Sequence, residues 1–345
     1  MAISGMKTDA AWQPSSSFWF ERPTAVTGAT GFLGSHLVTS LLELGSSVVI
    51  VRRDEVVPTS VTESWSGRVS VVHGEVQDLS LMERVLGEYD VETVFHLAAQ
   101  SQVGVANRNP SSTFETNVRG AWTVLEAVRR SPDVRQVLMA SSDKVYGTQD
   151  RLPYTEDMPL LAVHPYDVSK ACADLIAMSY AQCLGTPVAV TRCGNIFGPG
   201  DLNWGRLIPG TIRCLLQGKR PLIRSDGKMV RDYLHVADAV RAYLLLAEAL
   251  AGDPALRGEA FNFSLEQPLS VLEVVDRLQT AAGTSFEPDI RSSASNEIPA
   301  QALSSSRARS VLGWEPSLSL DGALAETVRW YRDHLASGDP GVNHA

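Results

Sequence analysis

A glycine-rich turn near the N-terminus constrains this chain more than any other feature. Gly28, Gly31 and Gly34 recur at every third position. An apolar run at 24–27 precedes them, and a helix-like segment at 32–44 follows. Glycine permits a tight turn and lets the backbone approach a ligand, while the start of the helix offers free N–H groups to phosphate. The strand, turn and helix together predict a dinucleotide site. Its expected contacts are Gly28, Thr30, Gly31, Phe32, Leu33 and Gly34.

Apolar runs and helix-like segments alternate through the first half of the chain. The runs predict strands at 24–27, 48–51, 69–72, 93–97, 137–140 and 188–191, and the segments predict helices at 32–44, 79–89 and 113–130. Continuous apolar runs are typical of strands buried on both faces. This alternation predicts an α/β fold, a Rossmann-like doubly wound parallel sheet with helices on both faces.

The alternation ends after residue 192, where glycine and proline crowd the segment 194–209. We expect binding loops there, followed by a smaller C-terminal α/β lobe that binds the substrate. Its predicted elements are helices at 211–217, 236–250 and 271–282 and a strand at 222–223. The predicted division is a flexible tail at 1–20, a dinucleotide-binding domain at 21–192 with about 236–262, a substrate-binding lobe at 193–235 and 263–335, and a tail at 336–345.

Charge and composition exclude several classes of protein. The chain has 345 residues, with 30 basic against 39 acidic side chains and a formal net charge of −9. This balance argues against binding to nucleic acid or to a membrane surface. The sequence has no apolar run long enough to cross a bilayer and no apolar signal core in residues 1–20. Its four cysteines form no C-x-x-C pair, which predicts free thiols in the cytoplasm and no metal site.

The end of the second predicted strand should select the cofactor. An acidic residue there binds a ribose diol, whereas an arginine favours a 2′-phosphate. The chain offers both in Arg52, Arg53 and Asp54, so NAD and NADP stay open, and the arginines can also be read as solvated surface charges. Asp78 is placed either to touch the adenine or to cap a helix.

A tyrosine and a lysine four residues apart supply the chemistry of alcohol oxidation. Tyr166 and Lys170 would share one face of a helix. An ammonium beside a phenol lowers the pKa of the phenol, which can then take a proton from a substrate hydroxyl as hydride leaves. A pair on the protein surface is the alternative reading.

A polar segment follows the predicted strand at 137–140. It contains Ser142, Asp143 and Lys144, at the end of the strand where such folds carry out their chemistry. Ser142 could hydrogen-bond the reacting oxygen. Asp143 and Lys144 form an acid and base pair that alcohol oxidation alone does not require. The alternative is that the segment is only a polar loop.

Over residues 22–335 the sequence resembles the extended short-chain dehydrogenase/reductase family, which contains the nucleotide-sugar epimerases and dehydratases. The motifs that carry the resemblance are TGATGFLG (27–34), HLAAQ (96–100), YDVSK (166–170), RCGNIFG (192–198) and RDYLHV (231–236). The resemblance implies a tightly bound NAD or NADP, a nucleotide-diphosphate sugar as substrate, and a homodimer joined through helices 113–130 and 166–184. It adds Leu97, Ala98, Ala99, Gln100, Tyr166 and Lys170 to the expected cofactor contacts.

Within that family the Ser142–Lys144 segment is similar to CDP-glucose 4,6-dehydratases, which carry Asp-Lys where most 4,6-dehydratases carry Asp-Glu. Two features depart from that group. Ala29 and Leu33 stand where those enzymes usually have His and Lys. The run Val51-Arg52-Arg53 resembles GDP-mannose dehydratases, which use NADP.

The resemblance implies a cycle of three steps. Tyr166 takes the proton of the sugar 4-hydroxyl as hydride leaves C4, water is lost across C5 and C6, and hydride returns to C6. Asp143 is expected to protonate the departing 6-hydroxyl. Lys144 would have to be neutral to act as the base at C5, and as a cation it would instead stabilise the enolate. The expected substrate contacts are Gln102, Asn195, Arg206, Leu207 and Arg231.

Two other functions compete with the dehydratase. A 4-epimerase would use Tyr166 and Lys170 in the same way and return hydride to C4, with no need of Asp143 or Lys144. A non-catalytic dinucleotide-binding regulator is a third reading, against which the intact tyrosine and lysine argue.

Overall fold

A seven-stranded parallel sheet forms the centre of the molecule. The structure is a computed structural model that describes residues 13–55, 60–292 and 298–337. The strands are β1 Pro23–Thr27, β2 Ser47–Arg52, β3 Val69–His73, β4 Thr93–His96, β5 Gln136–Ala140, β6 Val188–Cys193, β7 Asn195–Phe197, β8 Leu222–Ile223, β9 Val230–Arg231, β10 Tyr233–His235, β11 Ala260–Phe263, β12 Leu269–Ser270 and β13 Asp289–Ile290. The α-helices are α1 Ser16–Trp19, α2 Phe32–Glu43, α3 Ser60–Glu63, α4 Leu79–Glu88, α5 Val103–Arg108, α6 Pro110–Phe114, α7 Gly120–Arg130, α8 Pro165–Leu184, α9 Leu207–Leu216, α10 Val236–Gly252, α11 Val271–Ala282, α12 Ser306–Leu312 and α13 Leu320–Ala336.

The strand order places a ligand crevice at one edge of the sheet. The order is β11-β6-β5-β4-β1-β2-β3, so the chain runs outward from β1 in one direction and from β4 in the other. In such a sheet the crevice opens at the carboxyl ends of the two strands where the order reverses. The predicted Rossmann-like α/β fold is confirmed, and all six predicted strands of the sheet are present.

Helices cover both faces of the sheet, which explains the continuous apolar character of its strands. On one face α2 and α10 pack against side chains such as Val26, Ile50 and Phe95. On the other face α4, α7 and α8 pack against side chains such as Val94 and Val137. The sheet is therefore a rigid platform, and loops at its carboxyl edge are held in place by two buried layers.

The C-terminal half adds a smaller group of helices with its own core. Helices α9, α11 and α13 enclose an apolar cluster that includes Ile212, Leu278 and Leu324, all of them buried. Three short strand pairs, β7 with β10, β8 with β13 and β9 with β12, connect this group to the sheet. The exact division into two domains stays a prediction.

Part of the N-terminal tail predicted at 1–20 is folded onto the sheet. Residues 16–19 form α1, and Trp19 is fully buried in the core beside Phe95. The Trp19 indole donates a 2.6 Å hydrogen bond to Glu248 of α10. The prediction of a tail is thus wrong for this segment, because a buried tryptophan ties it to the sheet. Residues 1–12 and 338–345 lie outside the described residues.

Several helices differ from their predicted bounds. The segment 113–130 is not one helix, because a π-helical turn at Glu115–Arg119 separates α6 from α7. The helix expected at 211–217 begins earlier, at Leu207. Helices α1, α5, α6, α12 and α13 had no separate prediction. Within the described residues, no helix combines the length and apolarity needed to cross a bilayer.

Candidate active site

A cavity of about 1370 Å³ lies at the carboxyl edge of the sheet. The residues that follow β1, β2, β4, β5 and β6 line it on one side. Residues of α9, β9 and the loop before α9 line it on the other side. The cavity is therefore shared between the sheet and the C-terminal helices, and it is large enough for a dinucleotide and a second ligand.

The structure brings nearly every predicted site residue into this cavity. The predicted residues that line it are Gly28, Thr30, Gly31, Phe32, Leu33, Gly34, Arg52, Arg53, Asp54, Leu97, Ala98, Ala99, Gln100, Gln102, Ser142, Asp143, Lys144, Tyr166, Lys170, Asn195, Arg206, Leu207 and Arg231. Asp78 is the exception. Its carboxylate accepts a 3.0 Å hydrogen bond from the Leu81 backbone and caps α4, so the expected contact with adenine is not supported.

The glycine turn has the shape that a pyrophosphate requires. Gly28 has φ of +71°, and a Cβ atom there would lie 2.6 Å from the backbone nitrogen of Ala98. A Cβ on Gly34 would lie 2.8 Å from the Cα of Ala29, so the helix packs against the turn. Gly31 is the N-cap of α2 and provides no side-chain cap. The first N–H groups of α2 thus stay available to a phosphate, and the turn fits a dinucleotide.

Both arginines after β2 are paired with acidic neighbours. The Arg52 guanidinium lies 3.0 Å from Glu55, and the Arg53 guanidinium lies 2.6 Å from Asp54. The Arg53 and Asp54 side chains are more than half exposed. The hydrogen bond that Arg53 donates to Asp54 raises the pKa of Arg53. Because Arg53 is paired with Asp54, its guanidinium attracts a 2′-phosphate less strongly.

Tyr166 and Lys170 lie on the first turns of α8, but they are held in different ways. The Lys170 ammonium donates a 2.8 Å hydrogen bond to the carbonyl of Ala140 at the end of β5. Burial lowers the pKa of Lys170 to about 8, against the opposing effect of Asp174. Burial, with the charge of Asp143, raises the pKa of Tyr166 to about 12. Burial therefore outweighs the favourable interactions around the phenol, and the expected effect of Lys170 on its pKa stays a prediction.

A short 3₁₀ helix at Asp143–Tyr146, with Ser142 as its N-cap, carries the polar groups of Ser142, Asp143 and Lys144 into the cavity. The Ser142 hydroxyl donates to Asp143 at 3.1 Å, and its interaction with the nearby Tyr166 phenol opposes the rise in the pKa of that phenol. Asp143 is 2% exposed, and its Oδ2 atom has no hydrogen-bond partner among the described residues. Burial raises the pKa of Asp143, while the charge of Lys144 opposes the rise. A carboxyl group in this state is suited to give a proton to a ligand.

The predicted substrate residues line the far side of the cavity. Arg206 precedes α9 and forms a 3.0 Å ion pair with Asp201, yet its side chain remains 40% exposed. Arg231 in β9 is buried and donates to the carbonyl of Val230. Asn195 in β7 donates to the carbonyl of Asp232. Two guanidinium groups on one wall favour an anionic ligand.

Sequence reasoning missed two features of this site. Asn117 sits on the π-helical turn, is buried, and bonds both the backbone of Gln100 and the Ser169 hydroxyl. The imidazole of His164 lies 3.0 Å from the Asp167 carboxylate, and both line the cavity. The π turn leaves no sequence signal, whereas Asp167 stands inside the YDVSK motif and could have been singled out.

A sequence model of a protein family matches the part of the chain that builds this site. The NAD-dependent epimerase/dehydratase family matches residues 24–263. The matched region contains the glycine turn, the Ser142–Lys144 segment, Tyr166 and Lys170.

Individual relatives are similar over almost the whole chain. A CDP-glucose 4,6-dehydratase from Salmonella typhimurium is 30% identical, with 94% of each chain covered. A UDP-glucose 4-epimerase from Mycolicibacterium smegmatis is 31% identical over 90% of this chain and 98% of its own. The structure of a dTDP-glucose 4,6-dehydratase from Streptomyces venezuelae, solved with NAD bound, superposes with a TM-score of 0.83 at 30% identity. It covers 92% of this chain and 99% of that one.

Proposed function

Because the chain belongs to the NAD-dependent epimerase/dehydratase family, we propose that it is a nucleotide-sugar 4,6-dehydratase. Its substrate is a nucleotide-diphosphate hexose, CDP-glucose-like or GDP-mannose-like. Its product is the corresponding 4-keto-6-deoxy sugar. Relatives that carry the name 4,6-dehydratase, for CDP-glucose and for dTDP-glucose, support this reaction class.

The buried carboxyl of Asp143 is the observation that carries the proposal. Water leaves C6 only if a group nearby protonates its oxygen, and a carboxyl with a raised pKa retains a proton for that purpose. A 4-epimerase has no use for such an acid, because no C–O bond of the sugar breaks. The Asp143 side chain lies beside Ser142, which reaches Tyr166, so the acid and the alcohol-oxidising group serve one sugar.

In the proposed cycle Tyr166 gains one proton from the sugar and Asp143 gives one to it. Tyr166 takes the proton of the 4-hydroxyl, which leaves a ketone at C4. Asp143 gives a proton to the departing 6-hydroxyl, which leaves as water. One proton is thus gained at Tyr166 and one is spent at Asp143. The Ser142 hydroxyl between the two provides a path that restores both groups for the next turnover.

The cofactor is proposed to be NAD, which when bound accepts hydride from C4 of the sugar and returns it to C6. The residues proposed to hold it are those of the glycine turn, Arg52 to Asp54, Leu97 to Gln100, Tyr166 and Lys170. The pairing of Arg53 with Asp54 supports NAD over NADP, because the guanidinium is already occupied by a carboxylate. The Lys170 ammonium is suited to a ribose hydroxyl on the same side of the cavity.

The sugar nucleotide is proposed to lie between the catalytic residues and α9. Arg206 and Arg231 would bind the diphosphate, with Asn195, Gln102 and Leu207 against the rest of the ligand. Arginine suits this role because its fork of N–H groups matches phosphate oxygens.

The proposal is tested by mass spectrometry of the product from a panel of CDP-, GDP-, UDP-, ADP- and dTDP-hexoses. Loss of one water from one member would establish the dehydratase and identify its nucleotide. A product of unchanged mass that separates from the substrate by chromatography would instead assign a 4-epimerase. The matched control is the Asp143→Asn variant, which should reduce the cofactor in a single turnover but lose no water.

A homodimer is proposed as the working assembly. Phe114, Trp122 and Leu175 are exposed apolar side chains on α6, α7 and α8, the region in which the dimer is expected. Their exposure supports a contact there, because burying such side chains is favourable. Sedimentation equilibrium of the purified protein, compared with a Trp122→Glu variant, tests the assembly.

A further inference from the structure

The proposed dehydratase, on which this inference rests, needs a base at C5 as well as an acid at C6 for its elimination step. Lys144 is the group next to Asp143 along the chain. Its ammonium donates a 3.3 Å hydrogen bond to the side-chain oxygen of Gln301, which is fully buried. The carboxyl groups of Asp143 and Asp167 are both close enough to interact with its charge. The Lys144 side chain is thus held by Gln301, with its charge near both carboxyl groups.

A carboxylate with its own imidazole partner also lines the cavity. Asp167 follows Tyr166 on the first turn of α8 and is 3% exposed. Its Oδ2 atom lies 3.0 Å from Nδ1 of His164, the N-cap residue of the same helix. Both side chains line the cavity that holds Asp143 and Tyr166. The pair is therefore built into the wall of the proposed sugar site.

The electrostatic neighbours of Asp167 tie it to the reacting region. The charge of Asp167 acts on Asp143 and on Tyr166, while Lys144 and Arg231 act on Asp167. A sugar whose 4-hydroxyl meets Tyr166 and whose 6-hydroxyl meets Asp143 has C5 between these two positions. Asp167 lines the same cavity as Tyr166 and Asp143, which makes its carboxylate a candidate for removing the proton of that carbon.

We propose that Asp167 is the base that removes the C5 proton, with His164 as its partner, and that Lys144 acts as a cation that stabilises the enolate. The C5–H electron pair forms the enolate with the C4 ketone and then the C5–C6 double bond. The C6–O bond breaks, and its oxygen leaves as water with the proton from Asp143. As C6 regains the hydride that the reduced cofactor would hold, Asp167 gives its proton back to C5.

The position of His164 provides this base with a route to solvent. The His164 side chain is 26% exposed, whereas that of Asp167 is 5% exposed. A proton on Asp167 can therefore exchange with water through the imidazole before it returns to C5. The proposal thus requires that product formed in D₂O carries deuterium at C5.

The test separates C4 oxidation from C5 proton transfer in single turnovers with the sugar that the wild-type enzyme converts. Absorbance at 340 nm reports the reduced cofactor, and mass spectrometry reports deuterium at C5. Asp167→Asn is expected to keep cofactor reduction within about threefold and to lower C5 exchange by about 10²–10⁴-fold, the usual contribution of a positioned base. Asp167→Glu should restore part of the exchange.

Lys144→Arg keeps a cation that cannot deprotonate, so it should retain C5 exchange if Lys144 acts through its charge. The pH profile adds a readout that a structural role would not move. Burial raises the pKa of Asp167, while interactions with Lys144, His164 and Arg231 oppose the rise. The rate of C5 exchange should therefore rise with pH through the acid range, with its midpoint above the ordinary pKa of a carboxyl group. Asp143 and Tyr166 are the other titratable groups that interact with Asp167.

Full exchange in Asp167→Asn, or a profile that rises only near the ordinary pKa of lysine, would overturn the assignment. Failure of the proposed function has a different signature, because the wild-type enzyme itself would then release no water from any nucleotide sugar. A folded Asp167→Asn variant is verified by its thermal unfolding and by the cofactor reduction that it retains.

Discussion

The side chain of Asn117 and the backbone of Gln100 exchange two hydrogen bonds. The Gln100 N–H donates to Asn117 at 2.8 Å, and the Asn117 amide donates back to the Gln100 carbonyl at 3.1 Å. The same amide donates to the Ser169 hydroxyl at 2.8 Å, and Ser169 in turn donates to the carbonyl of Tyr166. One buried side chain therefore fixes the loop after β4 relative to the start of α8.

The Asn117→Asp variant is expected to lose about 1–3 kcal/mol of unfolding free energy, because it replaces two donated hydrogen bonds with a buried carboxylate. NAD binding should weaken as well, since the loop at Gln100 lines the cofactor side of the cavity. Urea unfolding and a titration with NAD measure the two effects. Thr123→Val in α7 is the control, because the buried Thr123 hydroxyl has no hydrogen-bond partner among the described residues. Unchanged NAD affinity in Asn117→Asp would show that the loop holds its place without this contact.

Gly28 and Gly67 provide a matched pair for the glycine turn. Both have φ of +71°, but a Cβ on Gly67 meets no atom within 4 Å, whereas one on Gly28 would meet the backbone of Ala98. Gly67→Ala should cost about 1–2 kcal/mol of stability from the left-handed backbone alone. Gly28→Ala should cost more and should abolish NAD binding. Equal losses of stability in urea unfolding would mean that the close approach to Ala98 is of no consequence.

Asp54→Ala is expected to move cofactor preference toward NADP. The change releases the Arg53 guanidinium from its 2.6 Å pair and leaves it available to a 2′-phosphate. The ratio of dissociation constants for NAD and NADP should shift by about tenfold, the effect of roughly 1.4 kcal/mol. Glu88→Ala serves as the control, since it releases Arg84 from a similar exposed pair on α4. If both variants leave the ratio where it is in the wild type, Arg53 does not reach the cofactor.

Tyr166→Phe should lower cofactor reduction by the sugar about 10²–10⁴-fold, because no group remains to take the 4-hydroxyl proton. In the wild type the rate should rise with pH, since burial raises the pKa of Tyr166 to about 12 and the phenolate fraction grows as pH approaches that value. Stopped-flow absorbance at 340 nm measures both effects. Tyr180→Phe is the control on the same helix, and its rate should match the wild type. A rate that falls as pH rises would exclude the phenolate as the base.

His96 predicts a specific contribution to acid sensitivity. Its Nδ1 atom lies 2.8 Å from the Thr27 hydroxyl, and burial, with the charge of Lys170, lowers its pKa to about 3. Between pH 6.5 and this value the unfolded chain binds a proton that the folded protein does not, so stability falls as pH falls, by at most about 1.4 kcal/mol per unit. His96→Gln lacks this proton uptake. The difference in unfolding free energy between wild type and variant should therefore shrink from pH 7 to pH 4.

The comparison of wild type with His96→Gln is necessary because buried carboxyl groups with a raised pKa increase the unfolding free energy as pH falls. Burial raises the pKa of Asp232 to about 6, so the folded state gains a proton there before the unfolded chain does. That contribution is common to wild type and His96→Gln and cancels between them. A difference that stays constant with pH would contradict a neutral, buried His96.

The sequence predicted the sheet and the local positions of the catalytic groups, because both depend on short patterns. Strands buried on both faces are continuous apolar runs, and the glycine turn and the Tyr166–Lys170 spacing lie within single elements. What it could not predict depends on contacts between distant segments. The burial of Trp19 against α10 and the bonds of Asn117 to Gln100 require the folded chain. The raised pKa of Tyr166 could not be predicted for the same reason, since the burial of its phenol depends on the folded chain.

The position of β11 at one end of the sheet affects how the protein emerges from the ribosome. β11 pairs with β6, yet α9, α10 and the short strands between them are synthesised first. At about 5–20 residues per second, the edge of β6 stays open for several seconds in the nascent chain. An unpaired strand edge recruits other chains, so slow translation through this interval exposes the protein to aggregation before the sheet is complete.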